Sequence, residues 1–248
     1  MDGHRYLVDA GTGLARQLAA MNVRESDIPA VFLSHLHDDH TASLVELMSI
    51  AYTTRTTGMT IIGPPRTKTL VDGALQVMQV NAELRQVENT VKGPPEPLFK
   101  ALEVVPGQVY KDDWVEVTAA ENAHFHMPPG SLAARNRSYS YRFKTRDRTI
   151  VVTGDTGPSE AVTELAKNAD LLVSEVLSPE AEVGVPPEIL ARIRREHLTP
   201  DQVAQLANTA GVKKVVLTHL RRFPDTRIED VRRGFRGEAM VGRDLQCY

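Results

Sequence analysis

The sequence predicts an α/β fold built as one large domain, and three observations point there. Short apolar runs bounded by turn residues alternate with segments of helical period, which is a pattern of mixed sheet and helix rather than of an all-β sandwich. A length of 248 residues suffices for a deep core but is thin for two independent domains, so a single domain over 1–248 is expected. The composition is that of an ordinary globular chain, with 42% hydrophobic residues, 25% charged residues and a formal net charge of -3, which does not suit a bulk binder of nucleic acid or membrane.

Taken in order, the apolar runs place strands at Arg5 to Asp9, Ala30 to Ser34, Met59 to Ile62, Ala101 to Val105 and Trp114 to Ala119. They continue at Tyr139 to Lys144, Thr149 to Thr153, Leu171 to Glu175 and Lys214 to Thr218. Helical spacing places helices at Leu14 to Met21, Ala42 to Tyr52, Thr67 to Val91, Ser159 to Lys167, Pro200 to Thr209 and Ile228 to Arg233. GPPEP, Gly93 to Pro97, is a loop and not a domain linker, because sheet-like sequence resumes directly after it. Thr41 or Ser43 can cap the second helix, Ser43 with Glu46 making a capping-box pattern. Thr199, Pro200, Gln202 and Gly211 write the fifth helix's start and stop most fully.

No apolar stretch approaches the ~18 residues a spanning helix needs, and MDGHRYLVDAG lacks the basic and apolar regions of a signal peptide. A cytoplasmic location is the expectation. The chain enters its first strand almost at once, without the preceding β-element such sheet proteins usually have, so that strand is expected to be missing and an upstream leader would change the location. Cys247 is the only cysteine, which excludes an intrachain disulfide and leaves any metal to imidazole and carboxylate.

The chemistry concentrates in His35-Leu36-His37-Asp38-Asp39-His40, after the apolar run AVFLS and before a helix. In an extended segment alternate residues point the same way, so His35, His37 and Asp39 can converge on one space while His40, at the turn, looks at a neighbouring point. Three imidazoles and a carboxylate within six residues are costly to desolvate unless a metal accepts their lone pairs.

HLHDDH resembles the HxHxDH signature of the metallo-β-lactamase superfamily, and the resemblance runs from LVDAGTG to LTH near residue 219. It implies a four-layer αββα sandwich with metals at one edge. It also implies a further histidine, a bridging aspartate and a last histidine, each at a strand end. His124 and His126 both follow the strand WVEVTAA and can face the site; His124 lies closer to the strand, and ENAHF is more similar to the family pattern. Asp155 in TGDT, where Gly154 permits a sharp turn, is the implied bridge, and His219 closes KKVVLTH. Carried over residue by residue, one ion takes His35, His37 and His124, the other Asp39, His40 and His219, and Asp155 is shared. Two such ions, roughly 3.5 Å apart, share a hydroxide nucleophile at neutral pH. Zinc is the first expectation, with manganese or iron as alternatives.

EHLTP followed by AQLANTAGVKKVVLTH resembles the ribonuclease Z and arylsulfatase-like branch, which implies that His197 faces the reaction centre as an acid or transition-state stabiliser. Asp39 counts there as a catalytic residue as well as a ligand. Asp9 in VDAG is similar to a family aspartate that orients a metal-bound histidine, and reads equally well as a turn residue. The implied activity is hydrolysis of an ester: phosphodiester, sulfate ester, or carboxylic ester or lactone. The alternatives are a ribonuclease Z-like RNA or tRNA phosphodiesterase and, from another class, a mononuclear iron oxygenase. The 30 residues between His124 and Asp155 leave no room for the tRNA-gripping arm of authentic ribonuclease Z. Arg135, Arg137, Arg142, Lys144, Arg146 and Arg148, with the later arginines from Arg192 to Arg236, can steer an anionic substrate, but interspersed acids favour a solvated charged face. The partners expected are therefore an anionic or small-molecule ester, no membrane, and a second copy of the chain through the amphipathic Thr67 to Val91 helix.

Overall fold

A computed structural model describes residues 3–54, 56–91, 93–177, 183–220 and 228–248. The chain divides into two compact units, Met1–Val105 and Pro106–Tyr248.

In the first unit the fully buried run Ala30–Phe32 behaves as parallel strands do, apolar on both faces. It is β2 of an all-parallel sheet with β1 (Tyr6–Val8), β3 (Met59–Gly63) and β4 (Phe99–Glu103), in the order β1-β2-β3-β4. The crossovers carry helices α1 (Leu14–Ala20), α2 (Asp38–Thr41), α3 (Leu44–Thr53) and α4 (Thr67–Val87). In α3 the buried residues Leu44, Leu47, Met48, Ala51 and Tyr52 recur at helical spacing and pack with Val31, Ile61 and Phe99 in one core.

Two expectations are corrected here. Ser43 begins α3 but makes no side-chain capping bond, because the chain enters α3 straight from α2 with Ser43 at φ -90, ψ 6 instead of extended. The Ser43 N–H is donated to the Ala10 carbonyl. The fourth helix stops at Val87, four residues short of Val91, because Asn89 takes a left-handed φ of 57° and the Thr90 N–H turns back to the Arg85 carbonyl. At the other end of α4, Glu103 Oε1 accepts from the backbone N–H groups of Arg66 and Lys68, placing a carboxylate at the helix start.

The second unit holds β5 (Gly107–Lys111), β6 (Glu116–Glu121), β7 (Tyr139–Lys144), β8 (Thr149–Val152), β9 (Leu171–Glu175), β10 (Lys214–Thr218) and β11 (Glu238–Val241). Their order is β11-β10-β9-β8-β7-β6-β5, with β5 to β8 an antiparallel meander and β8 to β11 parallel. Helices α5 (Glu160–Leu165), α6 (Pro187–Glu196), α7 (Pro200–Ala210) and α8 (Ile228–Gly234) complete it. A core of Val151, Val162, Leu172, Leu198, Val203, Ala207, Val215 and Val231 ties α5, α7 and α8 to the strands.

Strands β5 and β11 and helix α6 carry too little apolar signal for the sequence reading to find them. β5 is half exposed and bulged between Gln108 and Tyr110, β11 is an edge strand, and α6 buries none of its residues. By contrast α7 has the full capping box, Thr199 with Gln202, and ends at Gly211 with φ 66°. Of the arginines singled out, Arg221 and Arg222 lie outside the described residues.

Candidate metal centre

In the first unit, β2 hands the chain to an extended stretch that carries His35 and His37 before α2 begins at Asp38. Asp9 organises this stretch from the end of β1. Its left-handed φ of 62° turns the chain, as a turn residue would, and its carboxylate is fully used. Oδ1 accepts from the Ser34 N–H at 2.6 Å, and Oδ2 accepts from Ser34 Oγ at 2.8 Å and from His40 Nδ1 at 2.7 Å. Asp9 is therefore both a turn residue and the carboxylate that orients the His40 ring.

The same bonds fix two tautomers. Ser34 Oγ spends its proton on Asp9, so it accepts from His35 Nδ1 at 3.0 Å, and the His35 lone pair is left on Nε2. His40 donates Nδ1–H to Asp9, which leaves its lone pair on Nε2 as well. His35 Nε2 faces His37 Nδ1 at 2.9 Å, so two ring nitrogens address one point. Asp39 is exposed, with Oδ2 3.8 Å from His40 Nε2. The VDAG turn is held against this loop by Ala10 N–H donated to the His40 carbonyl, and Gly11 is required because a Cβ there would run into the Asp39 carbonyl.

In the second unit His124 follows β6. It is 2% exposed, its N–H is donated to Asn122 Oδ1, and its Nδ1 donates to the Glu196 carbonyl at 3.1 Å, again leaving Nε2. His126 is exposed and turns Nε2 to the Ala123 carbonyl at 3.1 Å. Asp155 is 3% exposed just beyond Gly154, whose φ of 58° makes the turn after β8. Asp155 Oδ2 lies 3.4 Å from His219 Nε2 and 4.0 Å from His197 Nδ1. His219 ends β10 with a left-handed φ of 61°, and its ring stacks on that of His197 at 5.9 Å between centroids. Donor atoms of His124, Asp155 and His197 lie within 4.8 Å of one another, as do those of Glu175, His197 and His219.

Glu175 is the residue the sequence reading missed. It ends β9, is 1% exposed, and places Oε2 3.3 Å from His197 Nδ1 while Oε1 accepts from the Thr156 and Leu198 N–H groups at 3.1 Å each. A carboxylate closing the apolar run LLVSE was the available signal, since buried acids need partners. Burial pushes the Glu175 pKa up, and the nearby Asp155 charge adds to that against the opposing pull of His197. Burial alone favours neutral His197, but the Glu175 hydrogen bond and the charges of Glu175, Asp155 and Glu196 outweigh it and raise its pKa. The pair therefore keeps a proton to higher pH than a solvated histidine.

Gly157 joins three parts of this half. Its N–H is donated to the Ala123 carbonyl, and a Cβ would collide with the Arg195 carbonyl, beside the His124 and His197 loops. Gly157→Ala is expected to cost roughly 1–3 kcal/mol through overpacking, read as a lower urea midpoint at unchanged m. An unchanged midpoint would show that the loop yields.

Many of the basic side chains singled out from the sequence are committed locally. Arg137 pairs with Glu121, Arg148 with Asp147, Arg192 and Arg195 with Glu196, Arg232 with Glu229 and Arg233 with Asp230. Arg142 donates to the Leu165 and Lys167 carbonyls. Among the described residues no helix is long and apolar enough to cross a membrane.

The sheets, the histidine-rich loop and the buried acids at strand ends define a class. The sequence pattern of the Beta-lactamase superfamily domain matches residues 4–220, and the chain belongs to that superfamily, as a hydrolase of the metallo-β-lactamase fold whose members typically bind divalent metals. Among curated relatives, ribonuclease Z of Mycobacterium bovis (strain BCG / Pasteur 1173P2) is 28% identical over 218 residues, covering 86% of this chain and 75% of the relative. Among solved structures, the short form of human tRNase Z aligns with a TM-score of 0.69 at 20% identity, over 99% of this chain and 88% of that one. The metallo-β-lactamase fold protein YhfI of Bacillus subtilis aligns with a TM-score of 0.67 at 22% identity, over 96% and 84%. These two likenesses bear out the expected fold class.

Proposed function

We propose that the chain acts as a single catalytic domain, a two-metal hydrolase of ester-type substrates with phosphodiesters first among them. The observation that supports this most is the orientation of the imidazoles. Ser34 Oγ, the Asp9 carboxylate and the Glu196 carbonyl occupy Nδ1 of His35, His40 and His124 respectively, so each ring offers Nε2 to a cation. The ligand set proposed is His35, His37 and His124 for one ion and Asp39, His40 and His219 for the other, with Asp155 shared. Zinc suits the imidazole and carboxylate donors, and manganese or iron fits them too. When bound, such ions supply Lewis acidity and activate water at neutral pH. The protein's own part is to hold the ester and to protonate the departing oxygen. His197, oriented by Glu175, is the proposed acid.

The test is metal content of protein purified without added metal, together with turnover of bis(p-nitrophenyl) phosphate. About two zinc or manganese ions per chain and metal-linked turnover are expected. A single iron with oxygen consumption would overturn the reading in favour of an oxygenase, and no metal with no turnover would leave a non-catalytic member. RNA is the second reading, favoured by relatives named ribonuclease Z. If RNA is the substrate, its affinity falls steeply with salt, with a slope of about -0.7 per phosphate contacted on single strands. Absence of affinity at low salt removes it and keeps the smaller diester.

A second copy of the chain is the proposed partner. On α4, Val77, Val80, Leu84 and Val87 are 68%, 69%, 59% and 88% exposed, at a 3-4-3 spacing that reads the same in both directions. An antiparallel twofold pairing then sets Val77 on Val87 and Val80 on Leu84, with Glu83 and Arg85 the charged residues within that span. Light scattering is expected to give a dimer mass for the parent and a monomer for Val80→Glu. A parent that is monomeric at every concentration would sink the pairing.

A further inference from the structure

A cavity of about 290 Å³ opens on the segment that follows β6, and no step of the proposed hydrolysis uses it. It is built onto two of the proposed ligands. Asn122 lines it and also accepts the His124 N–H through Oδ1, while donating Nδ2–H to the Thr153 carbonyl at the end of β8. Ser138 lines it too, is buried, and donates Oγ–H to the Asp155 carbonyl at 3.4 Å. The Phe125 ring forms one wall and lies 4.9 Å, centroid to centroid, from the His124 ring. A group seated in this cavity would therefore be one residue away from both His124 and Asp155.

The lining states what that group is. Phe125, Met127, Pro129 and Ala134 give flat or soft apolar walls, of the kind that take the faces of planar rings, while Glu121, His126 and Asn136 add polar groups that can meet a ring's edge. Arg137 does not make the cavity an anion site, because its charge is met by Glu121 Oε1 at 3.2 Å and its Nη1 is spent on the Ala134 and Asn136 carbonyls. It ties the 134–137 turn together and to Glu121. At 290 Å³ the volume sits just below the range of small-ligand pockets, about 300–1,000 Å³, which is room for one ring and its linkage but not for a folded polymer.

We propose that this cavity seats a planar aromatic ring, aryl or nucleobase, carried by the ester substrate, and so sets substrate choice. The proposal rests on the ester-hydrolase reading for its role in turnover, but not for binding. The full chain, labelled with 13C-methyl methionine, is titrated with phenyl phosphate and separately with methyl phosphate, which share a headgroup and differ in the ring. The Met127 resonance, assigned with Met127→Leu, is expected to shift saturably with phenyl phosphate and not with methyl phosphate. Ala134→Leu, which fills the cavity, is expected to weaken phenyl phosphate about tenfold, equivalent to about 1.4 kcal/mol, and to raise KM for bis(p-nitrophenyl) phosphate at unchanged kcat. Should Ala134→Leu fail to fold, Phe125→Leu removes the flat wall instead and carries the same expectation. An equal Met127 shift with both phosphates, none with either, or undiminished binding in the filled variant overturns the cavity's role. Absent turnover in a parent that still shows the ring-dependent shift overturns the hydrolase reading alone.

Discussion

Asp155→Ala is expected to lower bound metal from about two ions per chain to fewer than one and to reduce kcat/KM on bis(p-nitrophenyl) phosphate by about 10³-fold or more. The size follows from position. Asp155 is 3% exposed and Oδ2 lies 3.4 Å from His219 Nε2, so this carboxylate is the donor proposed to serve both ions, and neither ion is held in its place without it. The metal-free variant is expected to stay folded by circular dichroism, because removing a buried acid also removes its desolvation cost. That separates loss of metal from loss of fold. Two ions retained in the variant would assign the shared role to another residue.

His197→Ala is expected to leave the metal content unchanged and to lower kcat by about 10²–10⁴-fold on substrates with a poor leaving group. A general acid matters most where the departing oxygen is basic. The loss is therefore expected to shrink on p-nitrophenyl esters and to grow on alkyl esters of the same acid. Glu175→Gln should act in the same direction but more weakly, about 10–100-fold, since Glu175 is proposed to act through His197, whose Nδ1 lies 3.3 Å from its Oε2. Equal losses on good and poor leaving groups would assign His197 to charge stabilisation instead.

Much of the architecture was legible in linear order. The apolar runs at Ala30, Leu171 and Lys214 mark strands because a strand buried on both faces must be largely apolar along its length, and α7 announces both ends through Thr199, Gln202 and Gly211. Elements with little burial stayed hidden. Helix α6 buries nothing and has few apolar residues, and β5 and β11 are edges, so core packing left little apolar signal in them.

The donor types also belong to the sequence. HLHDDH, the acid of TGDT and the closing histidine of LTH stand where apolar runs stop, which is where a chain can turn a polar side chain out of a core. Folding alone supplied the partners that orient them. Asp9 lies 31 residues before His40, Glu196 lies 72 after His124, and Glu175 lies 22 before His197. Hydrogen bonds over such separations follow from sheet order, not from local spacing, and they fix which ring nitrogen keeps its lone pair. That is why a linear reading reaches the donor types and favours His124 over His126 but misses Glu175, while the folded chain buries His124 with Nδ1 on the Glu196 carbonyl and leaves His126 exposed.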